Sequence, residues 1–322
     1  MNKVAPTPHA DAIAVRGVHK HYGALHAVQG VDLAVQRGEV FGLIGHNGAG
    51  KSTLFKMMLG LIPISAGEII VDGARVGGPD FRAARRRIGY LPENVVLYDN
   101  LSAHETLHFF AKLKGIAPAQ REPESQRVLD LVGLSHAARR HVREYSKGMR
   151  QRLGFAQALL GSPQVLFLDE PTSGLDPEAI RSFYATLRGL REQGVTMIIT
   201  SHILAELQER VDRLAILSGG KIQAVGSVQG LREQMNMPLQ IEVICANNAG
   251  AAQAARAALA CLPESTIDQQ GDRLTVRCPR ASKMAALSAL AQLAAPVSAD
   301  AAVQDIKVIE PSLEDVFFGF AD

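Results

Sequence analysis

Five short motifs of this chain contain residue types that can bind phosphate groups and act on them. In chain order they are Gly45–Ser52 (GHNGAGKS), Tyr90–Glu93 (YLPE), Tyr145–Met149 (YSKGM), Leu166–Glu170 (LFLDE) and Thr200–His202 (TSH). The first motif matches the phosphate-loop pattern GxxxxGK[ST] at every fixed position. Its glycines let successive backbone N–H groups point at phosphate oxygens, and the helix expected to follow adds the positive end of its dipole. This motif therefore predicts a nucleotide phosphate site.

Two residues of the phosphate loop have individual tasks. Lys51 is placed to reach the β- and γ-phosphates, and the Ser52 hydroxyl is placed to ligate Mg²⁺. The residues expected to hold the phosphates are successive: Gly45, His46, Asn47, Gly48, Ala49, Gly50, Lys51, Ser52 and Thr53. The alternative is a glycine-rich turn that binds nothing. Four fixed residues between a predicted strand and a predicted helix argue against it.

The motif Leu166–Glu170 supplies the second half of a nucleotide site. Its apolar residues indicate a buried strand, and Asp169 follows at the carboxyl end, where α/β sheets place ligands. Asp169 is expected to hold Mg²⁺, and Glu170 to orient or deprotonate the attacking water. A surface acidic pair is the alternative, and the phosphate loop upstream makes it the weaker one.

Composition places the chain among soluble globular proteins with room for two domains. It has 322 residues, 47% of them hydrophobic and 20% charged, with 34 basic against 32 acidic residues. This balance gives no global field that favours nucleic acid, and the absence of Trp argues against base-stacking surfaces. Three widely spaced cysteines fit reduced cytosolic thiols. No stretch reaches the roughly 18 apolar residues needed to span a bilayer, so any membrane passage must come from another chain.

Periodicity predicts strands that alternate with helices over residues 13–228, after a flexible leader at residues 1–12. Short, continuously apolar runs such as Val40–Ile44, Val165–Leu168 and Thr196–Thr200 indicate buried parallel strands. Helices are expected elsewhere in this domain: residues 52–61, 83–88, 103–113, 125–132, 149–160 and 180–191. This alternation predicts a mainly parallel sheet covered on both faces.

Composition shifts near residues 226–238, and a second domain is expected over residues 229–322. Its pattern has the order β-α-β-β-α-β, with an Ala-rich helix at residues 249–262 and another at 283–293. That order is typical of a small ferredoxin-like α+β module. A helical appendage with strand decorations is the alternative.

Taken with Tyr145–Gln151, Ser173–Asp176 and His202, the phosphate loop gives a chain that resembles the ATP-binding subunits of ABC transporters over residues 13–228. The resemblance implies a P-loop NTPase fold of ABC type, hydrolysis of ATP with Mg²⁺, and two copies stacked head to tail with two ATP molecules between them. It also implies an integral membrane permease as partner and a peripheral position on the cytoplasmic face of the inner membrane.

The resemblance carries further site residues onto this chain. It implies that Ser146 and Gly148 of the signature motif contact the γ-phosphate bound by the other copy, and that His202 contacts the γ-phosphate as a sensor. Tyr22 matches the aromatic residue that stacks on adenine, and Asp176 lies in a motif of the nucleotide site. Glu93 stands where the family has a glutamine that links Mg²⁺ to the membrane partner.

The signature motif departs from the family at two other positions. Lys147 replaces the first glycine, and Met149 replaces the glutamine. Neither departure, nor Glu93, removes the catalytic carboxylate of Glu170, so hydrolysis is expected.

Finer similarities point to two kinds of ABC transporter. The tail Glu310–Phe317 (EPSLEDVF) is similar to the ending of many exporter-type (ABC-2) ATPases. Gly89–Val95 (GYLPENV), Tyr145–Leu153 (YSKGMRQRL) and Ala156–Gly161 (AQALLG) are similar to the ABC ATPases that serve copper-site maturation of nitrous oxide reductase with a permease and a periplasmic partner. The first expectation is copper-site maturation, and the alternative is an exporter of a drug, lipid or polysaccharide.

Two functions of other classes fit less well. The stretch His104–His108 is a formal HExxH on a predicted helix, the pattern of a zinc protease, with Glu122 or Glu124 as remote third ligands. It fixes only three residues, in a domain that already has another chemistry. A soluble ABC ATPase acting on DNA or ribosomes would carry a long coiled coil before Asp169 or two ATPase cassettes, and this chain has neither.

Overall fold

The chain folds into two compact units, the first ending at Ser227 and the second beginning at Val228. The structure is a computed structural model that describes residues 11–201, 204–235, 237–245, 249–260, 262, 264–293 and 303–321. Each unit has its own buried apolar cluster. Over the part of the chain described, no helix combines the length and apolarity needed to cross a membrane.

The first unit contains strands and helices, which alternate in part as the sequence predicts. Its strands are β1 (Ile13–Tyr22), β2 (Leu25–Val35), β3 (Val40–Gly45), β4 (Ala66–Val71), β5 (Ala74–Arg75), β6 (Ile88–Leu91), β7 (Val165–Asp169), β8 (Thr196–Thr200), β9 (Arg213–Ser218) and β10 (Lys221–Gly226). Its helices are α1 (Lys51–Met58), α2 (Phe81–Ala84), α3 (Ala103–Leu113), α4 (Pro118–Leu131), α5 (Lys147–Leu159), α6 (Pro177–Glu192) and α7 (Leu204–Gln208).

A six-stranded sheet carries the phosphate loop. Its order is β10-β9-β3-β8-β7-β6, with five parallel strands and β10 antiparallel at one edge. Strands β7 and β8 are buried along their whole length, which explains their uninterrupted apolar sequences. Helix α1 packs on this sheet through Phe55, whose ring meets Phe167 edge-on at 5.5 Å between centroids. The helix that follows the phosphate loop is thereby fixed to the strand that ends at Asp169.

A second sheet of the first unit is antiparallel, with the order β2-β1-β4-β5. Helices α3, α4 and α5 lie together in the segment between β6 and β7. Helix α3 begins with a capping box, in which Ser102 and Glu105 satisfy each other's backbone N–H groups.

The second unit contains α8 (Val228–Gln234), β11 (Leu239–Cys245), α9 (Ala249–Leu259), β12 (Thr266–Gln270), β13 (Arg273–Cys278), α10 (Lys283–Leu293), β14 (Val303–Ile309) and α11 (Leu313–Ala321). Its four strands form one antiparallel sheet in the order β12-β13-β11-β14. From β11 to β14 the element order is the predicted β-α-β-β-α-β, and the strand order is that of a ferredoxin-like module.

One predicted helix is wrong. The chain is helical only over Phe81–Ala84, makes a 3₁₀ turn over Arg85–Arg87, and enters β6 at Ile88. Ile88 pairs with Val165 and Leu91 with Leu168, so pairing with β7 overrides the helical preference of the arginine run.

Candidate functional site

Strand register brings the separate motifs to one edge of the six-stranded sheet. Asp169 at the end of β7 lies beside Thr200 at the end of β8, and Thr200 lies beside Leu43 of β3. The phosphate loop begins two residues after Leu43, and β6 ends at Leu91, two residues before Glu93. Parallel strands place their carboxyl ends at the same edge, so the loop, both acidic motifs and Glu93 converge there.

The phosphate loop has a backbone that only glycine adopts easily. Gly48 has φ 82° and Gly50 has φ 105°, both in the left-handed region. A side chain at Gly50 would also meet the Ala27 carbonyl oxygen at 2.5 Å, and one at Gly45 would meet the Leu217 carbonyl oxygen at 2.4 Å. Gly50 is the N-cap of α1, so the orphan N–H groups of that helix begin at the loop. The loop therefore has the cradle shape that a triphosphate needs.

The Lys51 ammonium folds over its own loop. It donates hydrogen bonds to the carbonyl oxygens of Gly45 at 2.5 Å and His46 at 3.1 Å. Burial lowers the pKa of Lys51, while the carboxylates of Glu170, Asp169 and Glu93 raise it in that order. Lys51 of the loop therefore interacts electrostatically with all three carboxylates.

The carboxylate of Asp169 is buried and held by one hydroxyl. Thr200 Oγ1 donates to Asp169 Oδ1 at 2.7 Å, and Thr200 Oγ1 also accepts from the Glu170 backbone N–H at 3.0 Å. Burial raises the pKa of Asp169, the Thr200 hydrogen bond lowers it, and the nearby Glu93 raises it further. Thr200 therefore positions both acidic residues of the motif.

Glu170 occupies an unusual backbone conformation. Its φ is 48°, in the left-handed region that residues with a Cβ seldom adopt. The turn directs the chain away from β7 at the residue expected to handle the attacking water. Tyr90 of β6 pairs with Phe167 of β7. Burial, and then the charges of Asp169 and Glu93, raise the pKa of Tyr90 to about 12.

The signature motif lies at the start of α5, as its anion-binding role would require. Ser146 is the N-cap, and its hydroxyl accepts from the Met149 N–H at 3.2 Å. Buried Gln151 donates to the Pro171 carbonyl oxygen at 3.1 Å, which ties α5 to the residue after Glu170. Within one chain, therefore, the signature helix is linked to the residue that follows Glu170.

Lys147, the first departure from the family's signature motif, contacts the segment Ser173–Asp176. The Lys147 side chain lies against Gly174, where an added Cβ would come within 2.6 Å of Lys147 Cε. Gly148 lies near Leu175 of the same Ser173–Asp176 segment. Asp176 itself caps α6, because its carboxylate accepts from the Ala179 N–H at 2.8 Å. These contacts place the predicted residues Gly148 and Asp176 on adjoining segments.

Tyr22 and His202 are the two remaining predicted nucleotide contacts. Tyr22 ends β1 and is 49% exposed, with the Lys20 ammonium 4.8 Å from its ring centroid. Its exposed ring remains available for stacking. His202 lies outside the described residues, and its buried neighbour Ser201 directly follows β8.

The HExxH stretch takes part in ordinary helix contacts. Glu105 completes the capping box at the start of α3, and its hydrogen bonds to Ser102 lower its pKa. His104 Nε2 lies 2.6 Å from Glu122 Oε2 on α4, while the rings of His104 and His108 are 6.3 Å apart. Among the described residues, no group of three His, Cys, Asp or Glu side chains could hold a metal ion.

Sequence reasoning missed Thr200 and Gln151 as parts of this site. In the sequence, Thr200 is the first residue of the TSH motif and Gln151 the last residue of Tyr145–Gln151, and neither position by itself indicates a role in the site. A polar residue at the last position of a buried apolar strand is the signal that could have identified Thr200.

Comparison with protein families gives a match to the ABC transporter model over residues 28–173. The linearmycin resistance ATP-binding protein LnrL of Bacillus subtilis is 31% identical over 95% of this chain and 96% of its own length. The daunorubicin resistance ATP-binding protein DrrA3 of Streptomyces coeruleorubidus is 34% identical over 95% of this chain and 94% of its own. An uncharacterized ABC transporter ATP-binding protein of Synechocystis is 44% identical over 63% of this chain, which spans only 57% of that relative.

Solved structures agree on the fold. A structure of an ATP-binding subunit of an ABC transporter matches with a TM-score of 0.64 and 33% identity, over 69% of this chain and 92% of that one. A dimeric post-hydrolysis ATP-binding cassette bound to ADP and Pi matches with a TM-score of 0.62 and 24% identity, over 67% of this chain and 98% of that one. The predicted P-loop NTPase fold is confirmed. By its relatives of nearly equal length and its phosphate site, the chain belongs to the ATP-hydrolysing, ATP-binding subunits of ABC transporters.

Proposed function

We propose that this chain energises a membrane permease of the ABC-2 exporter type and works on the cytoplasmic face of the membrane. The observation that carries the proposal is the match to LnrL and DrrA3, which covers 95% of this chain and extends through the second unit. Both relatives are named for resistance to an antibiotic, which favours an exporter of a drug-like cargo.

The proposed chemistry divides the work among the phosphate loop, the acidic motif Asp169–Glu170 and two further residues. Gly45–Thr53 hold the triphosphate, Tyr22 stacks on adenine, and Lys51 turns from its carbonyl partners to the β- and γ-phosphates. Glu170 orients the attacking water and accepts its proton, and His202 contacts the γ-phosphate. Catalysis of this kind rests on positioning and charge stabilisation, since phosphoryl transfer needs little covalent help from the protein.

The site also suits a magnesium ion. Ser52, Asp169 and Glu93 offer hydroxyl and carboxylate oxygens, which are the hard ligands that Mg²⁺ prefers. Only Oδ1 of Asp169 is engaged by Thr200, so the carboxylate keeps acceptor capacity for the ion. When bound, the ion would neutralise phosphate charge. A carboxylate at position 93 instead of the family's glutamine adds negative charge there, as the rise that it causes in the pKa of Asp169 indicates.

A single chain holds only half of each proposed ATP site. ABC ATPases act as dimers, and the solved post-hydrolysis relative is dimeric. We infer that Ser146 and Gly148, at the N-terminus of α5, close over the ATP held by the other copy. ATP binding then joins two copies, and hydrolysis releases them.

The permease is proposed to contact the segment after Glu93. Val96 and Tyr98 are exposed there, and Phe109 and Leu113 are exposed on α3. The rings of Tyr98 and Phe109 meet edge-on at 5.7 Å, so these two side chains form one exposed apolar patch. The patch follows β6 and Glu93, so its movement is linked by the chain to the nucleotide site.

The test of the ATPase mechanism is Glu170→Gln. This variant should bind Mg-ATP, lose hydrolysis and accumulate as a dimer in size-exclusion chromatography with light scattering. Glu192→Gln, at the last residue of α6, is the matched control and should hydrolyse ATP normally. A Glu170→Gln protein that turns over ATP at the wild-type rate would overturn the assignment.

A second candidate concerns the cargo. The NosF subfamily of ABC ATPases serves copper-site maturation of nitrous oxide reductase, and the motifs at 89–95, 145–153 and 156–161 support that candidate. The periplasmic partner would then act through the permease. Replacing the natural chain with Glu170→Gln in the source organism distinguishes the two. Reductase lacking its catalytic copper cluster would assign maturation, whereas loaded reductase with lost drug tolerance would assign export.

A further inference from the structure

The sheet of the second unit has one open polar face. On β11, Leu239, Ile241 and Val243 are buried in the unit's core, so the alternate residues Gln240, Glu242 and Ile244 lie on the opposite face. The same alternation places three residues from each of the other three strands, β12, β13 and β14, on this open face.

Strand register arranges the open face in three rows across β12, β13, β11 and β14. The first row is Thr266, Arg277, Gln240 and Ile309; the second is Asp268, Thr275, Glu242 and Lys307; the third is Gln270, Arg273, Ile244 and Asp305. Three positive and three negative side chains therefore share the face, with no net charge.

Within the described part of the chain, none of these six charged side chains forms an ion pair, although Glu242 and Lys307 are direct neighbours across β11 and β14. Five of the six are exposed, and Glu242 on the central strand β11 is partly buried. A shallow cavity of about 290 Å³ opens between them, lined in part by Glu242, Arg273, Asp305 and Lys307. Exposed charges of both signs that form no ion pair with one another can complement the charges of another protein surface.

We propose that the open face pairs with the same face of a second copy, about a twofold axis parallel to the strands. Such an axis places β12 of one copy over β14 of the other, and β13 over β11. Asp268 then faces Lys307 of the second copy, and Gln270 faces Asp305, each contact occurring twice. Twofold pairing is the commonest symmetry of homo-oligomers, and it requires a face that complements itself.

The charge pattern selects this axis over the other in-plane axis. A twofold axis perpendicular to the strands would set Glu242 against Glu242, Lys307 against Lys307 and Arg277 against Arg273. Like charges that face one another across an interface are unfavourable. With the axis along the strands, both Arg273 and Arg277 instead flank Glu242 of the second copy.

The face is small, which sets the expected strength of the contact. Four strands spaced about 4.8 Å apart and five residues long give about 300 Å² per copy, against about 800 Å² in a stable interface. The pairing is therefore weak between free chains and becomes effective when another contact holds the two chains together. It goes beyond the proposed ATP-driven dimer because it needs no nucleotide.

Irreversible cross-linking captures such a weak pair. In a Cys261→Ser background, Asp268→Cys with Lys307→Cys places the two thiols opposite each other between copies, but three strands apart within one chain. The native Cys245 and Cys278 are buried and stay unreactive. A short bismaleimide, added without nucleotide, should yield a covalent dimer several-fold above either single-cysteine protein. Circular dichroism and the free energy of unfolding of each protein verify its fold.

Two further measurements decide the axis and the role of charge. Thr266→Cys with Gln270→Cys would be joined only by the perpendicular axis and should give no more dimer than the single-cysteine proteins. With Gln270→Cys and Asp305→Cys as reporter, Asp268→Lys should lower the dimer yield severalfold, and adding Lys307→Asp should restore it. Dimer yields that match the single-cysteine proteins in the first pair, or that favour the perpendicular pair, would overturn the proposal. A failure of Glu170→Gln to dimerise with ATP would leave these yields unchanged.

Discussion

At the scale of single residues, Thr200 has the clearest testable role. Its hydroxyl holds both Asp169 Oδ1 and the Glu170 N–H at the end of a buried strand. Thr200→Val keeps the shape of the side chain and removes both hydrogen bonds. A hydrogen bond to a charged group contributes about 1.5–3 kcal/mol, and 1.36 kcal/mol is a factor of ten in rate. We expect the ATP hydrolysis rate to fall by about tenfold or more, measured as phosphate release at saturating ATP.

Thr196→Val is the matched control for Thr200→Val. Thr196 begins the same strand, is buried, and accepts a hydrogen bond from the Gly38 N–H at 3.0 Å. Its loss should lower the free energy of unfolding while leaving the hydrolysis rate within about twofold, since it lies at the end of β8 away from the phosphate loop. Equal loss of hydrolysis in both variants would show that Thr200 acts only through stability.

Lys114 predicts a pH effect on stability. Its ammonium donates to the Leu160 carbonyl oxygen after α5, and burial lowers its pKa to about 8, against a smaller opposing effect of Glu124. The unfolded chain keeps the ordinary value, so between pH 8 and about 10.4 it binds more protons than the folded chain. Stability from this group therefore rises with pH across that window, by about 3 kcal/mol as an upper bound.

The measurement for Lys114 is the free energy of unfolding at several pH values. Wild type should gain stability relative to Lys114→Met between pH 8 and 10, and the difference between the two should be constant below pH 7. Lys112→Met, at an exposed position in the last turn of α3 and two residues before Lys114, should follow the wild-type profile. A Lys114→Met profile parallel to wild type above pH 8 would contradict the prediction.

At the scale of elements, two helix N-caps separate stability from function. Ser146 caps α5 and Ser102 caps α3, each accepting a hydrogen bond from the third residue of its helix. Replacing either serine by alanine should lower the free energy of unfolding by about 1 kcal/mol. Only Ser146→Ala should also slow ATP hydrolysis, because only α5 is proposed to point at the γ-phosphate held by the other copy.

Both cap variants are compared by chemical denaturation and by the ATPase rate in the same buffer. If Ser102→Ala slowed hydrolysis as much as Ser146→Ala, loss of helix stability alone would explain both. The second unit offers no such comparison for hydrolysis, as none of the residues assigned to the proposed ATP site lies in it.

Elements that local pattern decides were predictable, and those that pairing decides were not. The strand Thr196–Thr200 and the helix Lys283–Leu293 were predicted with their observed bounds, because apolar runs or alanine-rich repeats specify them locally. Ile88–Leu91 was predicted partly as helix, because four residues are too few for a period and the neighbouring arginines favour a helix. Its strand conformation comes from pairing with β7, whose residues are distant in sequence, so the local sequence pattern does not indicate it.

The same distinction holds for the candidate site. Gly45–Ser52 and Asp169–Glu170 were predictable because each motif contains its chemistry within a few residues. Thr200 was not, because its role depends on the register that puts Thr200 beside Asp169. The contact of Lys147 with Gly174 also joins positions that are distant in sequence.

At the scale of the whole molecule, the division between Ser227 and Val228 predicts that ATP binding survives truncation. Each unit has its own buried core. A solved ATP-binding subunit matches 69% of this chain, a length close to that of the first unit, and the match covers 92% of the solved subunit. A chain ending at Ser227 keeps every residue proposed to contact ATP. Because no proposed ATP contact is lost, it should bind ATP with an affinity within about threefold of the full chain. That limit is smaller than the tenfold change that corresponds to about 1.4 kcal/mol of binding free energy.

Truncation also separates the two proposed dimer contacts. The chain ending at Ser227 should still form the ATP-dependent dimer when it carries Glu170→Gln, since that contact uses only the first unit. Without the open face of the second unit, however, its dimer should dissociate faster when ATP is diluted away, because tethering through a weak second contact slows separation. Dilution followed by light scattering measures that rate for both chains. Equal dissociation rates would mean that the second unit adds no contact between copies, while a more than tenfold loss of ATP affinity would mean that the first unit depends on the second for its site.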